Sequence, residues 1–144
     1  MVVLGYTYFV VETSACSPSL EWFKNPPSLE TIIEGNPIVF IGAVISADGK
    51  PYYLPGMGMF TNAKFKIEMP IKGVGGDTIE IRQGQPSACL NKYLTGERWF
   101  FAGDIRGSST LSAFALHSVF YQDRVKRLYE LFPAAKRLSP TPPN

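Results

Sequence analysis

Apolar and polar residues alternate with a period of two in the middle of the chain, over residues 64–69 and again over residues 78–82. Such alternation is typical of half-buried β-strands. Between these segments, residues 72–77 contain three glycines, which allow a tight turn because glycine adopts positive φ without a Cβ clash. The pattern therefore predicts two antiparallel strands joined by a hairpin turn.

Four further segments have the apolar or aromatic character of strands. They are residues 38–45, 52–54, 98–102 and a last strand within residues 110–119. Ser28 is placed to cap a short helix over residues 29–34, which Gly35 ends. Near the C-terminus a single apolar stripe at helical spacing is formed by Tyr121, Val125, Leu128, Tyr129 and Phe132, and Pro133 stops it. These elements predict a mainly β fold, most similar to a small barrel, with helices at its periphery.

The N-terminal run 2–11 is apolar but too short to cross a bilayer as a helix, so no transmembrane span is expected. It is either a buried first strand or the apolar part of a secretory signal with a cleavage site at residues 13–15. No basic residue precedes the run, and Glu12 lies inside the expected cleavage region. We therefore divide the chain into this segment (1–15), one folded domain (16–132) and a proline-rich tail (133–144) that we expect to be extended or mobile.

The overall charge is close to balance, with 14 basic and 12 acidic side chains and a net charge of +2. This is too small to indicate nucleic acid or an anionic membrane as the partner. From His117 to the end, five basic and two acidic residues give +3, which leaves −1 for the rest of the chain. A chain of 144 residues is long enough to bury a core, and its hydrophobic content of 45% indicates a globular domain.

Few residues offer catalytic or metal-binding chemistry. One histidine and two cysteines do not make a closed zinc site, and we expect neither a metal nor another cofactor. His117 lies in an apolar segment, where a histidine is usually a packed or edge residue. The carboxylates, Glu97 among them, form no acid/base motif, and strand-face solvation explains most of them. We therefore expect no enzymatic activity.

Binding of single-stranded nucleic acid is an alternative for a small barrel with exposed aromatic residues. Tyr52, Tyr53 and residues 99–101 could stack on bases. Consecutive residues of a strand point to opposite faces, however, so part of the segment 99–101 belongs to the core. With the charge near balance as well, we expect no nucleic-acid partner.

Six short motifs follow one another along the domain: residues 37–44 (PIVFIGAV), 63–68 (AKFKIE), 71–73 (IKG), 77–82 (DTIEIR), 87–89 (SAC) and 96–102 (GERWFFA). Their order resembles the netrin-like module of the tissue inhibitors of metalloproteinases. The resemblance covers residues 16–132. It implies a five- to six-stranded OB-fold-like Greek-key barrel with a short N-terminal helix and an amphipathic C-terminal helix.

The resemblance also implies a disulfide between Cys16 and Cys89, worth about 4 kcal/mol in the chain-entropy model. Such a bond implies an extracellular, periplasmic or cell-surface location. The alternative is a cytosolic protein with two reduced, buried cysteines. The family has a second bridge, but here Pro18 replaces one of its cysteines and the region around Leu116 has none.

The family's binding ridge maps onto six positions of this chain. They are Cys16, Ser17, Pro18, Ser87, Ala88 and Cys89, and we call them the Cys16–Cys89 ridge. In the inhibitors the free amine of the first cysteine chelates the zinc ion of the protease. Here residues 1–15 precede Cys16, so Cys16 would have no free amine and could not chelate zinc in this way. We therefore expect a non-enzymatic protein-interaction or assembly module. Metalloproteinase inhibition after cleavage before Cys16 is the alternative, and single-stranded nucleic-acid binding is the second alternative.

Overall fold

The computed structural model describes residues 24–47, 52–56, 58–84, 92–105 and 112–138. The strands are β1 (Ile38–Ala47), β2 (Tyr52–Leu54), β3 (Gly58–Lys72), β4 (Thr78–Gly84), β5 (Arg98–Gly103) and β6 (Phe114–Ala115). The helices are α1 (Leu29–Gly35) and α2 (Gln122–Leu131), with 3₁₀-helices at Val119–Tyr121 and Pro133–Leu138. The prediction of a mainly β fold with helices at both ends is confirmed.

All strand pairs in the sheet are antiparallel. β1 pairs with β3 along one edge and with β5 along the other, β4 adds to the far edge of β3, and β6 adds to β5. The short β2 pairs with β3 on the same edge as β1, because Phe60 pairs with β2 on one side and β4 on the other. The strands thus lie in the order β4-β3-β1-β5-β6.

The two outer strands of this order, β4 and β6, are not paired with each other in the described residues, so the sheet is not closed. One backbone hydrogen bond nevertheless connects β4 to the chain that follows β5. The N–H of Arg82 on β4 donates to the carbonyl oxygen of Ile105, just after β5, at 2.9 Å.

Strands β1 and β5 are buried on both faces of the sheet, whereas alternate residues of β3 and β4 are exposed. On one face, Phe40, Phe65, Trp99 and Phe101 belong to one apolar cluster. On the other face, Phe100 packs with residues of α1 and α2. The alternation of residues 99–101 between the two faces is therefore confirmed.

Helix α1 begins at the predicted Ser28 cap, but it includes Gly35, which was expected to end it, and its C-cap is Asn36. The hydroxyl of Ser28 accepts a hydrogen bond from the N–H of Thr31, and Asn36 Nδ2 donates to the carbonyl of Ile32. Lys72 Nζ at the end of β3 donates to the carbonyls of Ile33 and Glu34. These bonds satisfy groups that a helix end leaves unpaired and join α1 to β3.

Helix α2 packs its apolar stripe against the sheet, with Val125 and Leu128 buried. Arg127 contacts Glu30 of α1, and Arg124 Nη2 donates to the carbonyl of Pro27 at 3.3 Å. These contacts join the two helices on the same face of the sheet.

Two expectations about the C-terminal third were wrong. The last strand, expected within residues 110–119, is reduced to Phe114–Ala115 in the described residues, because the chain turns there and the N–H of Ser118 donates to the carbonyl of Ala115. The tail, expected to be extended from residue 133, begins with a 3₁₀-helix in which Ala135 is fully buried in the core. Residues 139–144 lie outside the described residues.

The hairpin turn after β3 requires a glycine at one position. Gly73 has a φ of +71°, and a Cβ there would lie 2.0 Å from the carbonyl oxygen of Pro37. The close approach holds the turn against the start of β1.

Candidate functional site

The ridge predicted from the sequence lies outside the described residues. This applies to all six of its positions, Cys16, Ser17, Pro18, Ser87, Ala88 and Cys89. Their grouping and the Cys16–Cys89 disulfide therefore remain predictions. The loop that continues from residue 92 into β5 is described, and it contains a buried carboxylate.

That group is the carboxylate of Glu97, with only 5% of the residue exposed. Its Oε1 accepts a hydrogen bond from the N–H of Leu94 at 2.9 Å and a second from the indole Nε1 of Trp99 at 3.2 Å. A buried carboxylate needs such donors, because otherwise its desolvation costs several kcal/mol.

The second oxygen of this carboxylate binds the only histidine in the chain. Oε2 of Glu97 lies 3.0 Å from Nε2 of His117, whose side chain is 33% exposed. The β5–β6 register explains the contact. Trp99 faces Ala115, and the ladder continues with a bond from the N–H of Leu116 to the carbonyl of Arg98. Glu97 directly precedes β5, and His117 lies two residues beyond β6, in the turn in which the N–H of Ser118 donates to the carbonyl of Ala115.

The surroundings hold this carboxylate in place. The ring of Trp99 meets the ring of Tyr93 edge-on with centroids 4.6 Å apart, and Tyr93 meets Phe65 in the same way at 5.0 Å. The backbone is fixed as well, since the N–H of Val44 donates to the carbonyl of Glu97 at 2.9 Å. Glu97 thus connects β1, the loop before β5 and the chain after β6.

The chemistry of this cluster favours anchoring. The contacts of Glu97 are a backbone N–H, a core indole and His117, all of which tie segments of the fold together. In the described ranges, no group of three His, Cys, Asp or Glu side chains could hold a metal ion.

The turn that follows His117 carries the most exposed apolar side chains of the described chain. Val119 is 70% exposed and Phe120 is 90% exposed. The next residue, Tyr121, turns inward and stacks on Phe114 at a centroid distance of 5.4 Å. The turn is therefore fixed to the core on both sides of the exposed pair.

Charged groups near this turn are largely engaged. The guanidinium of Arg124 lies 5.9 Å from the centroid of the Tyr121 ring, and its burial lowers the pKa of Arg124 below its usual range. Further along α2, Arg127 bonds to both Glu30 and Glu130. The exposed pair is thus presented beside a helix whose arginines are held by contacts within the domain.

The aromatic residues considered for base stacking are mostly unavailable. Trp99, Phe100 and Phe101 are buried in the core. Tyr53 on β2 is exposed, and Tyr52 donates its hydroxyl to Oδ1 of Asn62 at 2.8 Å.

Sequence reasoning placed Glu97 among the solvated carboxylates and missed its role. Two signals point to it in retrospect. Glu97 lies two positions before Trp99, the spacing of residues on one side of an extended chain, and it directly follows a glycine, Gly96. The position of His117 beside Glu97 depends on the β5–β6 pairing and on the turn after Ala115, which the sequence pattern did not predict.

No described helix is long and apolar enough to cross a membrane. Comparisons with protein-family models, with curated proteins and with solved structures found no match to this chain.

Proposed function

We propose that this chain is a non-enzymatic protein-binding module of the netrin-like type, which contacts a protein partner through Val119 and Phe120. The observation that carries the proposal is the exposure of these two side chains on a turn whose backbone is fixed. Single exposed apolar residues are common on protein surfaces and need no explanation. An adjacent pair, including a phenylalanine, is the kind of anchor that dominates protein interfaces.

The fixed backbone strengthens this argument. The N–H of Leu116 donates to the carbonyl of Arg98, and the N–H of Tyr121 donates to the carbonyl of Ser118. Leu116 and Tyr121, on either side of the exposed pair, both pack in the apolar cluster that contains residues of α1 and α2. A rigid anchor loses little conformational entropy when a partner binds.

The strand order supports the netrin-like, OB-fold-like part of the proposal. β5, β1, β3 and β4 lie side by side in the order fourth-first-second-third, which is the order of a Greek key. An OB fold is a partly open, five-stranded Greek-key barrel. The bond from Arg82 to Ile105 brings β4 towards the end of β5, as closure of such a barrel requires.

An extracellular, periplasmic or cell-surface location belongs to the same proposal through the Cys16–Cys89 disulfide. Peptide mapping without reduction should find these two cysteines joined in one peptide pair. Two free thiols would contradict the disulfide and with it the location.

Metalloproteinase inhibition through the Cys16–Cys89 ridge is kept as the alternative, and titration distinguishes it. A chain that begins at Cys16 would be titrated against a metalloproteinase, beside a chain that retains residues 1–15. Inhibition by the first and not by the second would favour the alternative. No inhibition by either would leave protein binding through Phe120 as the function to test.

Partner binding is tested by exposing three immobilised proteins, the wild type and two variants, to the same mixture of extracellular proteins. Phe120→Ser removes the proposed anchor, whereas Tyr53→Ser removes another exposed aromatic residue, 64% exposed, on the distant strand β2. We expect one partner to be retained by the wild type and by Tyr53→Ser but not by Phe120→Ser. Titration of the purified partner should show affinity weakened at least tenfold by Phe120→Ser, as expected for an interface anchor. Equal retention by all three proteins would contradict the proposal.

A further inference from the structure

We propose that Glu97 is a positioning residue that holds the turn 116–121, and with it the exposed side chains of Val119 and Phe120, against the loop 92–97. The inference rests on the proposed function and names the residue that fixes the position of its anchor.

The lock is the carboxylate of Glu97, and each of its two oxygens holds a different segment. Oε1 holds the loop through the N–H of Leu94, and Oε2 holds the turn through Nε2 of His117. The third bond, from Trp99 Nε1 to Oε1, ties the carboxylate to the sheet. The loop and the turn are therefore connected through one carboxylate that is itself fixed to the core.

The two segments are held to the sheet differently. The loop is bonded to β1 by its backbone, with the N–H of Gly96 donating to the carbonyl of Val44 at 2.9 Å. The turn continues from β6, which has only two residues, and a ladder this short gives little support of its own. The turn should therefore depend on Glu97 more strongly than the loop does.

Residue-specific amide hydrogen exchange measures this lock directly, in the free protein. The amide of Leu94 reports on the loop, the amides of Ser118 and Tyr121 report on the turn, and the amide of Ile67, bonded to Asp77, reports on the distant β3–β4 hairpin. Exchange from folded protein reports local opening, and a tenfold change corresponds to about 1.4 kcal/mol.

The variants separate the parts of the lock. Glu97→Ala should speed exchange at Leu94 and in the turn at least tenfold, with Ile67 unchanged. His117→Ala should speed amide exchange in the turn only, and not at Leu94. Trp99→Phe, which removes the indole donor and shrinks a buried ring but leaves the other two bonds of the carboxylate in place, is the control and should not loosen the turn.

Conservative replacement distinguishes positioning from simple loss of a buried charge. Glu97→Gln keeps an oxygen for Leu94 and Trp99, and its amide N–H can donate to Nε2 of His117 in the other imidazole tautomer. We expect Glu97→Gln to restore slow exchange in both segments. If Glu97→Ala does not yield folded protein, Glu97→Gln and His117→Ala still decide the question.

The inference is overturned if His117→Ala leaves the turn amides as slow as in the wild type. It is also overturned if Glu97→Gln loosens the loop and the turn as strongly as removal of the side chain does. Because exchange is measured without a partner, these outcomes do not depend on the proposed function. Failure of the proposed function would appear separately, as partner binding that Phe120→Ser does not weaken.

Discussion

Glu97 and His117 meet just beyond the end of the β5–β6 ladder, with Oε2 of the buried carboxylate 3.0 Å from Nε2 of the imidazole. Replacing Glu97 by alanine removes the acceptor for Leu94 and Trp99 as well. We expect a loss of about 2–4 kcal/mol in the free energy of unfolding, since buried donors would be left without a partner. Denaturant unfolding measures this loss.

His117→Ala provides the comparison for that prediction. It removes one contact of a side chain that is partly in solvent, and we expect a loss of about 1 kcal/mol. In a double-mutant cycle, the two substitutions together should cost less than the sum of their separate losses, because they share one interaction. Strict additivity would contradict the contact.

Gly73 should tolerate no side chain. Gly73→Ala places a Cβ at a φ of +71° and against the carbonyl of Pro37, so we expect destabilisation by about 2 kcal/mol or more. Gly75→Ala, two residues further in the same turn, is the control, because a Cβ there meets no atom within 4 Å. It should be neutral or stabilising by about 0.4–1 kcal/mol. Equal losses in both variants would count against the described turn.

Leu128 should contribute to stability, whereas Phe120 should not. Leu128 is fully buried where α2 meets the sheet, and Leu128→Ala should cost about 2–5 kcal/mol through lost burial and the remaining cavity. Phe120→Ala removes a side chain that is 90% exposed, and we expect a change within about 0.5 kcal/mol. Thermal unfolding of both variants tests this. A large loss with Phe120→Ala would mean that Phe120 belongs to the core.

The contact between α1 and α2 should weaken in acid. The pKa of Glu30 is lowered from its ordinary value of 4.5, first by a hydrogen bond from its own backbone and second by Arg127. A lowered pKa in the folded state means that the stabilisation is present above pH 4.5 and is lost as the pH falls through the folded-state pKa. Unfolding followed from pH 6 downwards should show this loss.

Arg127→Ala should reduce that acid dependence, because it removes one cause of the lowered pKa. Lys126→Ala removes a neighbouring exposed cation of α2 and is the matched control. We expect the control to keep the acid dependence of the wild type. Identical pH profiles for wild type and Arg127→Ala would show that the pair does not contribute.

The sequence predicted most strands and both helices because local patterns determine them. Alternation over residues 64–69 and 78–82 and the Ser28 cap needed no tertiary information. The last strand was predicted too long, because its end depends on the turn in which Ser118 donates to Ala115. Ala135 was missed because alanine in a proline-rich stretch gives no periodic signal.

The candidate site could not be predicted in the same way. Glu97 and His117 meet only because β6 pairs with β5 in one register, and a shift of one residue would separate them. The exposure of Phe120 beside the inward Tyr121 depends equally on the 3₁₀ turn. Register and turn geometry are tertiary properties, so the pattern of residues could not predict this surface.

The most direct test of the account is photo-cross-linking from position 120. A photoreactive phenylalanine analogue would replace Phe120, and in a matched protein it would replace Tyr53, which is also exposed but lies on β2. The account predicts a covalent adduct with one partner protein from position 120, competed by unlabelled wild type but not by Phe120→Ser, and none from position 53. An absence of adducts at position 120, or equal adducts from both positions, would contradict it.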